Sequence, residues 1–147
     1  MYKLKTSIEL PIAISTKWEG SKLPTLYGFN YIITITVESE NLDKNNMVID
    51  FKQLKKVIHE YFDQYDHSMI LTPDNPLVEV YKKNFEENGI DFERSRLFVW
   101  DENPTAEYMS KYWHDEVLKL FEKEGLKIEK VAAKVEETLH NAITYEA

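Results

Sequence analysis

The chain has 147 residues, a length that suits one domain able to bury roughly two-thirds of its unfolded surface without disulfide staples. Its 43% hydrophobic and 30% charged content is globular and excludes disorder as the main state. The balance of 18 basic against 26 acidic residues, net charge -8, repels phosphate backbones and anionic headgroups, so no nucleic acid and no membrane partner is expected; the cysteine count of zero excludes disulfides, thiolate metal centres and thiol nucleophiles together.

Over residues 2–10, Tyr2, Leu4, Ile8 and Leu10 share one parity and Lys3, Lys5, Ser7 and Glu9 the other, which predicts a half-buried strand. The same charges deny this segment the apolar core of a secretion signal, and no run approaches the ~20 apolar residues of a membrane span. A cytoplasmic location is expected. The segment KWEGSKLPTLYG, residues 17–28, is too long for a tight hairpin turn and is a candidate functional loop. At 30–38, NYIITITVE places Tyr31, Ile33, Ile35 and Val37 on one face of a second strand, with Thr34, Thr36 and Glu38 on the other.

Asp50 followed by Gln53 has capping-box spacing, and Phe51, Leu54, Val57, Ile58, Tyr61 and Phe62 make the apolar stripe of a helix ending near Tyr65. A smaller helix-strand unit is predicted between 74 and 100: Asn75-Pro76 opens its helix, Gly89 closes it, and LFVW at 97–100 is a short buried strand. Asn103-Pro104 opens a long helix with Ala106, Met109, Trp113, Val117, Leu120 and Phe121 on one face, stopping at Gly125. IEKVAAKVEET and NAITYE then read as two strands. This order suits an α+β fold with helices on one face of a sheet, in a single domain, 1–147.

Parity draws attention to one carboxylate. In the strand at 128–138, Val131, Ala133, Val135 and Glu137 share a face, whereas Lys130, Ala132, Lys134 and Glu136 share the other. Glu136 stands with the lysines as a solvated charge. Glu137 points where the valines point, and a carboxylate there costs several kcal/mol unless protonated or paired. Either a ligand supplies the partner, or Glu137 lies at a strand end open to solvent. Leu126 and Ile128 fall on the lysine side, so the alternation is not perfect.

The segments YGFNYIITITVE, MVIDFKQLKK, YDHSMIL, NPTAEYMSKYWHDEV and KVEETLHNAITYE, in this order, resemble the 6-pyruvoyltetrahydropterin synthase and 6-carboxytetrahydropterin synthase family, a branch of the tunnelling fold. The resemblance implies a four-stranded antiparallel sheet with two main helices on one face and an inserted helix-strand unit. It also implies a homo-oligomer, trimer or hexamer, with pockets at subunit interfaces. It places Glu137, with Thr138 beside it, where the family holds a pterin ring through its N–H edge, and it places Asp66 and His67 on the family's proton-transfer pair. A carboxylate orienting an imidazole suits that task. Thr105 and Glu107 match a helix start and are assigned to capping and the helix dipole.

The departures concern chemistry. The family binds zinc through a histidine at the end of the first strand and two in a His-Gly-His segment; here the chain reads Ile12-Ala13-Ile14-Ser15-Thr16 and Tyr27-Gly28-Phe29. The family's catalytic cysteine corresponds to Leu23, and Glu19 lies in the same loop but not at that position. His59, His67, His114 and His140 share no ligand spacing, so no metal and no cofactor is expected. Three functions follow: a protein that keeps a pterin- or purine-like heterocycle pocket without zinc-dependent lyase activity, a metal-independent aldolase-like enzyme using Asp66 and His67, or a structural subunit without ligand.

Overall fold

The computed structural model describes residues 1–16 and 25–147. In chain order it runs β1 (Tyr2–Ile14), β2 (Tyr27–Ser39), α1 (Phe51–Phe62), β3 (Ser68–Leu71), α2 (Pro76–Glu87), β4 (Leu97–Val99), α3 (Ala106–Lys123), β5 (Lys130–Glu136) and β6 (Ala142–Glu146). The alternation in β1 and β2 is realised as an antiparallel ladder from Tyr2 opposite Ser39 to Ile14 opposite Tyr27. It buries Leu10, Ile12, Ile14, Tyr31, Ile33, Ile35 and Val37 on one face. β5 joins β2 antiparallel, from Glu38 opposite Lys130 to Ile32 opposite Glu136, and adds Val131, Ala133 and Val135 to that face. β6 closes this side antiparallel to β5. The opposite face is polar: Lys3 meets Glu38 at 2.8 Å and the Ser7 and Thr34 hydroxyls are 2.7 Å apart.

The expected four-stranded antiparallel sheet needs correction. Among the described residues the sheet has six strands in the order β4-β3-β1-β2-β5-β6, and it is mixed, with β3 parallel to β1 and β4 parallel to β3. The insert is therefore a strand-helix-strand crossover joined to the main sheet, with α2 as the connection that parallel pairing requires. Ser68–Leu71 carries no alternation because it is covered on both faces, the usual condition of a parallel strand. β1 also runs through Pro11 to Ile14. β3 begins its pairing only at Ile12, so the proline stands where β1 has no neighbour on that side.

The two main helices share one face of the sheet, as expected, and the helix of the insert lies on the other. α1 contributes Leu54, Ile58 and Phe62, and α3 contributes Met109, Trp113, Val117 and Phe121, to the core over β1, β2 and β5. Phe62 meets the Trp113 ring edge-on at 5.4 Å, and Tyr65 stacks on Phe98 at 4.5 Å. α2 packs on the other side, where Leu71, Val78 and Leu97 form a second cluster with Met69, Tyr81 and Phe85. Each fully buried large side chain contributes roughly 1.5–3 kcal/mol.

The starts of α1 and α2 follow the sequence with one change of partner, whereas α3 begins at Ala106, two residues beyond the expected Asn103-Pro104 opening, because the Thr105 side chain supplies the cap. Asp50 caps α1 by accepting the Lys52 N–H at 2.8 Å, two residues on rather than from Gln53. Asn75 caps α2 through Leu77 at 2.9 Å and Thr105 caps α3 through Tyr108 at 3.2 Å.

Candidate ligand site at the strand ends

Glu136 is the last residue of β5 in register with β2, opposite Ile32, so one further step brings Glu137 beside Tyr31. The Glu137 N–H donates to the Asn141 carbonyl at 3.1 Å, and the Thr138 hydroxyl accepts the N–H groups of His140 and Asn141 at 3.2 Å each. These bonds form the β5–β6 turn and hold the Glu137 backbone. Thr138 itself is exposed and serves the turn.

The Glu137 side chain is half-buried on the face of Val135. Loss of solvent, and then the negative charge of Glu107 at the start of α3, raise its carboxyl above the ordinary glutamate value. Tyr31 is fully buried and its hydroxyl has no hydrogen-bond partner among the described residues. Burial, and then the Glu137 charge, hold that phenol well above the ordinary tyrosine range. A carboxylate whose charge is disfavoured and a hydroxyl without a partner leave unmet hydrogen-bonding capacity on both groups. The alternation signalled Glu137 but gave no sign of Tyr31, because an inward tyrosine in a strand reads as core.

From Tyr31 the same face continues along β2 as an aromatic ladder. Phe29 meets Tyr31 edge-on at 5.6 Å and Tyr27 meets Phe29 at 6.0 Å. The Tyr27 hydroxyl ends the ladder in a 2.9 Å hydrogen bond with the Thr16 hydroxyl. Gly28 permits this: a Cβ there would lie 2.6 Å from the Ile12 carbonyl oxygen, so the two strand ends approach too closely for any side chain.

The places that the resemblance assigns to zinc imidazoles hold Tyr27, Phe29 and, at the end of β1, Thr16 or a neighbour; the Tyr27 and Thr16 hydroxyls bond each other and the Phe29 ring has no lone pair, a set that does not fit tetrahedral zinc. Among the described residues no three His, Cys, Asp or Glu side chains converge as a metal site. The other histidines are placed apart: His59 Nε2 lies 3.2 Å from the Ser7 carbonyl, and buried His114 pairs with Asp115 at 2.9 Å and meets the Tyr145 ring at 4.9 Å. Glu19 and Leu23 lie outside the described residues.

Asp66 and His67 follow a 3-10 turn, Asp63–Tyr65, at the end of α1. His67 adopts φ 57°, the left-handed region, and its Nδ1–H donates to the Asp66 carboxylate at 2.9 Å. The ring is largely exposed beside a shallow cavity of about 510 Å³ lined by Ile12, Gly28, Phe29, Asn30, His67 and Ser68. Among the described residues the buried Ser68 hydroxyl has no partner. His67 precedes β3, on one side of β1, whereas Glu137 follows β5, beyond β2. Three strand spacings, about 14 Å, separate them. Phe29 lies between them, on the His67 cavity at one edge and against Tyr31 at the other.

Residues 5–147 match the family described as 6-pyruvoyl tetrahydropterin synthase. A 6-carboxy-5,6,7,8-tetrahydropterin synthase of Aquifex aeolicus is 30% identical over 106 residues, covering 72% of this chain and 63% of that protein. That of Rickettsia felis is 31% identical over 126 residues, covering 82% and 84%. Among solved structures, an uncharacterized protein of Wolinella succinogenes superposes with a TM-score of 0.76 at 18% identity, covering 99% of this chain and 97% of that one. The 6-pyruvoyl tetrahydropterin synthase of Plasmodium vivax does so with a TM-score of 0.73 at 16% identity, covering 100% and 99%. Fold and sequence agree: the chain belongs to the 6-pyruvoyl tetrahydropterin synthase family.

Proposed function

We propose that this chain is a divergent member of the family that binds a pterin- or purine-type heterocycle through Glu137 and lacks zinc-dependent lyase activity. The observation that carries the reading is the half-buried Glu137 carboxylate standing beside the orphaned Tyr31 hydroxyl at the end of the aromatic ladder. A heterocycle presenting two N–H groups on one edge would meet the carboxylate in a bidentate, charge-assisted pair. Phe29 and Tyr27 would offer an apolar wall to a planar ring. The curated relatives, named as pterin synthases, support that ligand class. At the zinc positions, the hydroxyl pair and the phenyl ring supply no Lewis acid, whose contribution to a transition state is several kcal/mol.

The 2.9 Å bond between His67 and Asp66 favours a second reading, a metal-independent aldolase-like enzyme. Asp66 would hold Nδ1–H and leave Nε2 to take or return a proton. His67 and Glu137 stand on strands three spacings apart, and a second copy docked at a sheet edge would add groups to either site. Among the described residues, β1 has no second neighbour before Ile12 and β6 has no outer neighbour, and such open edges invite pairing between copies. A trimer or hexamer follows as the expected assembly.

Calorimetry with a pterin and with guanine, on the wild type and on Glu137→Gln, tests the anchor. Wild-type binding that weakens in the variant supports it; equal binding by both removes Glu137 as the anchor, and no binding by either protein leaves a structural subunit as the reading. Metal analysis of the purified protein tests the other half, since about one tightly held zinc per chain would overturn the loss of the lyase site.

A further inference from the structure

We propose that Arg96 is a positioning residue for the Asp66–His67 pair, its guanidinium carried to that turn by the β3–α2–β4 unit. The inference rests on the reading that this pair moves a proton. Arg96 Nη1 donates to the carbonyls of Asp63 and Asp66 at 2.7 and 2.6 Å. The Arg96 carbonyl in turn accepts the Met69 N–H at 3.0 Å. Arg96 therefore grips the chain on both sides of His67, before it through the side chain and after it through the backbone.

This grip bears on geometry that needs support. His67 and Arg96 have φ of 57° and 58°, a region that costs a residue other than glycine roughly 1–2 kcal/mol and persists where the surroundings hold it. The Asp66 carbonyl belongs to the peptide that leads into His67. Rotating that peptide would change the His67 φ and carry the ring away from the Asp66 carboxylate; a donor fixed on the carbonyl opposes the rotation. The nearby ion pair, Arg96 Nη2 to the Asp63 carboxylate at 3.8 Å, is exposed on both sides and adds little. The carbonyl contacts carry the role: both come from the one nitrogen Nη1, and a lysine, with a shorter reach and a freely rotating ammonium, holds them less firmly.

The test is nitrogen NMR of the imidazoles in the full chain, with His67 assigned by its loss in His67→Asn. In the wild type, neutral His67 should populate the Nδ1–H tautomer through its bond to Asp66. Arg96→Ala should lose that preference and match the reference Asp66→Asn, Arg96→Lys should fall between, and millimolar guanidinium should restore the preference in Arg96→Ala. A folded Arg96→Ala protein that keeps the wild-type tautomer overturns the inference. Where Arg96→Ala does not fold, Arg96→Gln carries the same test, and an unchanged tautomer there overturns the inference equally. Failure of the functional reading looks different: the tautomer follows Arg96, yet no heterocycle binds or turns over. Turnover that depends on His67, with a tautomer indifferent to Arg96, removes this inference and leaves the reading intact.

Discussion

Two aromatic groups stand on the same face of the sheet and meet different fates. Phe62, Tyr65 and Trp113 interlock at ring separations of 5.3 to 6.3 Å and are closed off between α1, α3 and the strands. Tyr27 and Phe29 make similar edge contacts at 6.0 Å, yet Tyr27 remains 39% exposed and Phe29 only half-buried. The ring chemistry is the same in both groups. The helical layer covers the first and leaves the second open, so one becomes core and the other a wall on which a ligand can lie.

Substitutions can break this comparison, beginning with the largest effect. Trp113→Ala should cost about 3–5 kcal/mol in urea unfolding, the range for emptying a closed aromatic site, whereas Phe29→Ala should cost less than about 2 kcal/mol and chiefly weaken heterocycle binding. Equal costs would show that Phe29 is core after all. Gly28→Ala should cost about 1–3 kcal/mol, because its methyl meets the Ile12 carbonyl and must push the strand ends apart. A stability unchanged from wild type would mean that the ends yield freely.

Glu137→Gln should weaken heterocycle binding by roughly 10- to 100-fold, the value of a charge-assisted hydrogen bond, as read by calorimetry. It should also change the pH dependence of stability. The folded state raises the Glu137 pKa, so it holds the proton more tightly than the unfolded chain does, and stability falls as pH rises from the ordinary glutamate value, about 4.3, through the folded one. Glu137→Gln removes that loss and should melt higher than wild type at neutral pH but not below about pH 4. A lower melting temperature at neutral pH would mean that Glu137 is satisfied within the free protein. The smallest stability effect is expected at exposed His67: His67→Asn, which tolerates the left-handed backbone, should stay within about 0.5 kcal/mol of wild type while abolishing any His67-dependent turnover.

Most of the architecture can be read from local pattern, with one systematic failure. The long strands and the stripes of α1 and α3 follow from periodicity because each buries one face against a neighbour and exposes the other. β3 and β4 escape that logic in different ways. LFV reads as a strand but as part of a separate insert, and Ser68–Leu71 gives no strand signal at all, since 4 residues with both faces covered carry no period to detect. At the site, Glu137 is legible because a lone carboxylate breaks an apolar series. Tyr31 is not, because its phenol fits that series and only its missing partner makes it unusual.

The sequence by itself determined which side chains share a face and where α1 and α2 begin. Those are local properties, set by the two-residue period of a strand, the 3.6-residue period of a helix and the identity of single side chains. Tertiary structure decided that the insert joins the sheet in parallel, that Glu137 meets Tyr31 while His67 lies three strand spacings away, and that Arg96 reaches back to the turn before His67. Each depends on register between strands or on the reach of a long side chain from a distant part of the chain, and neither quantity is written in local spacing.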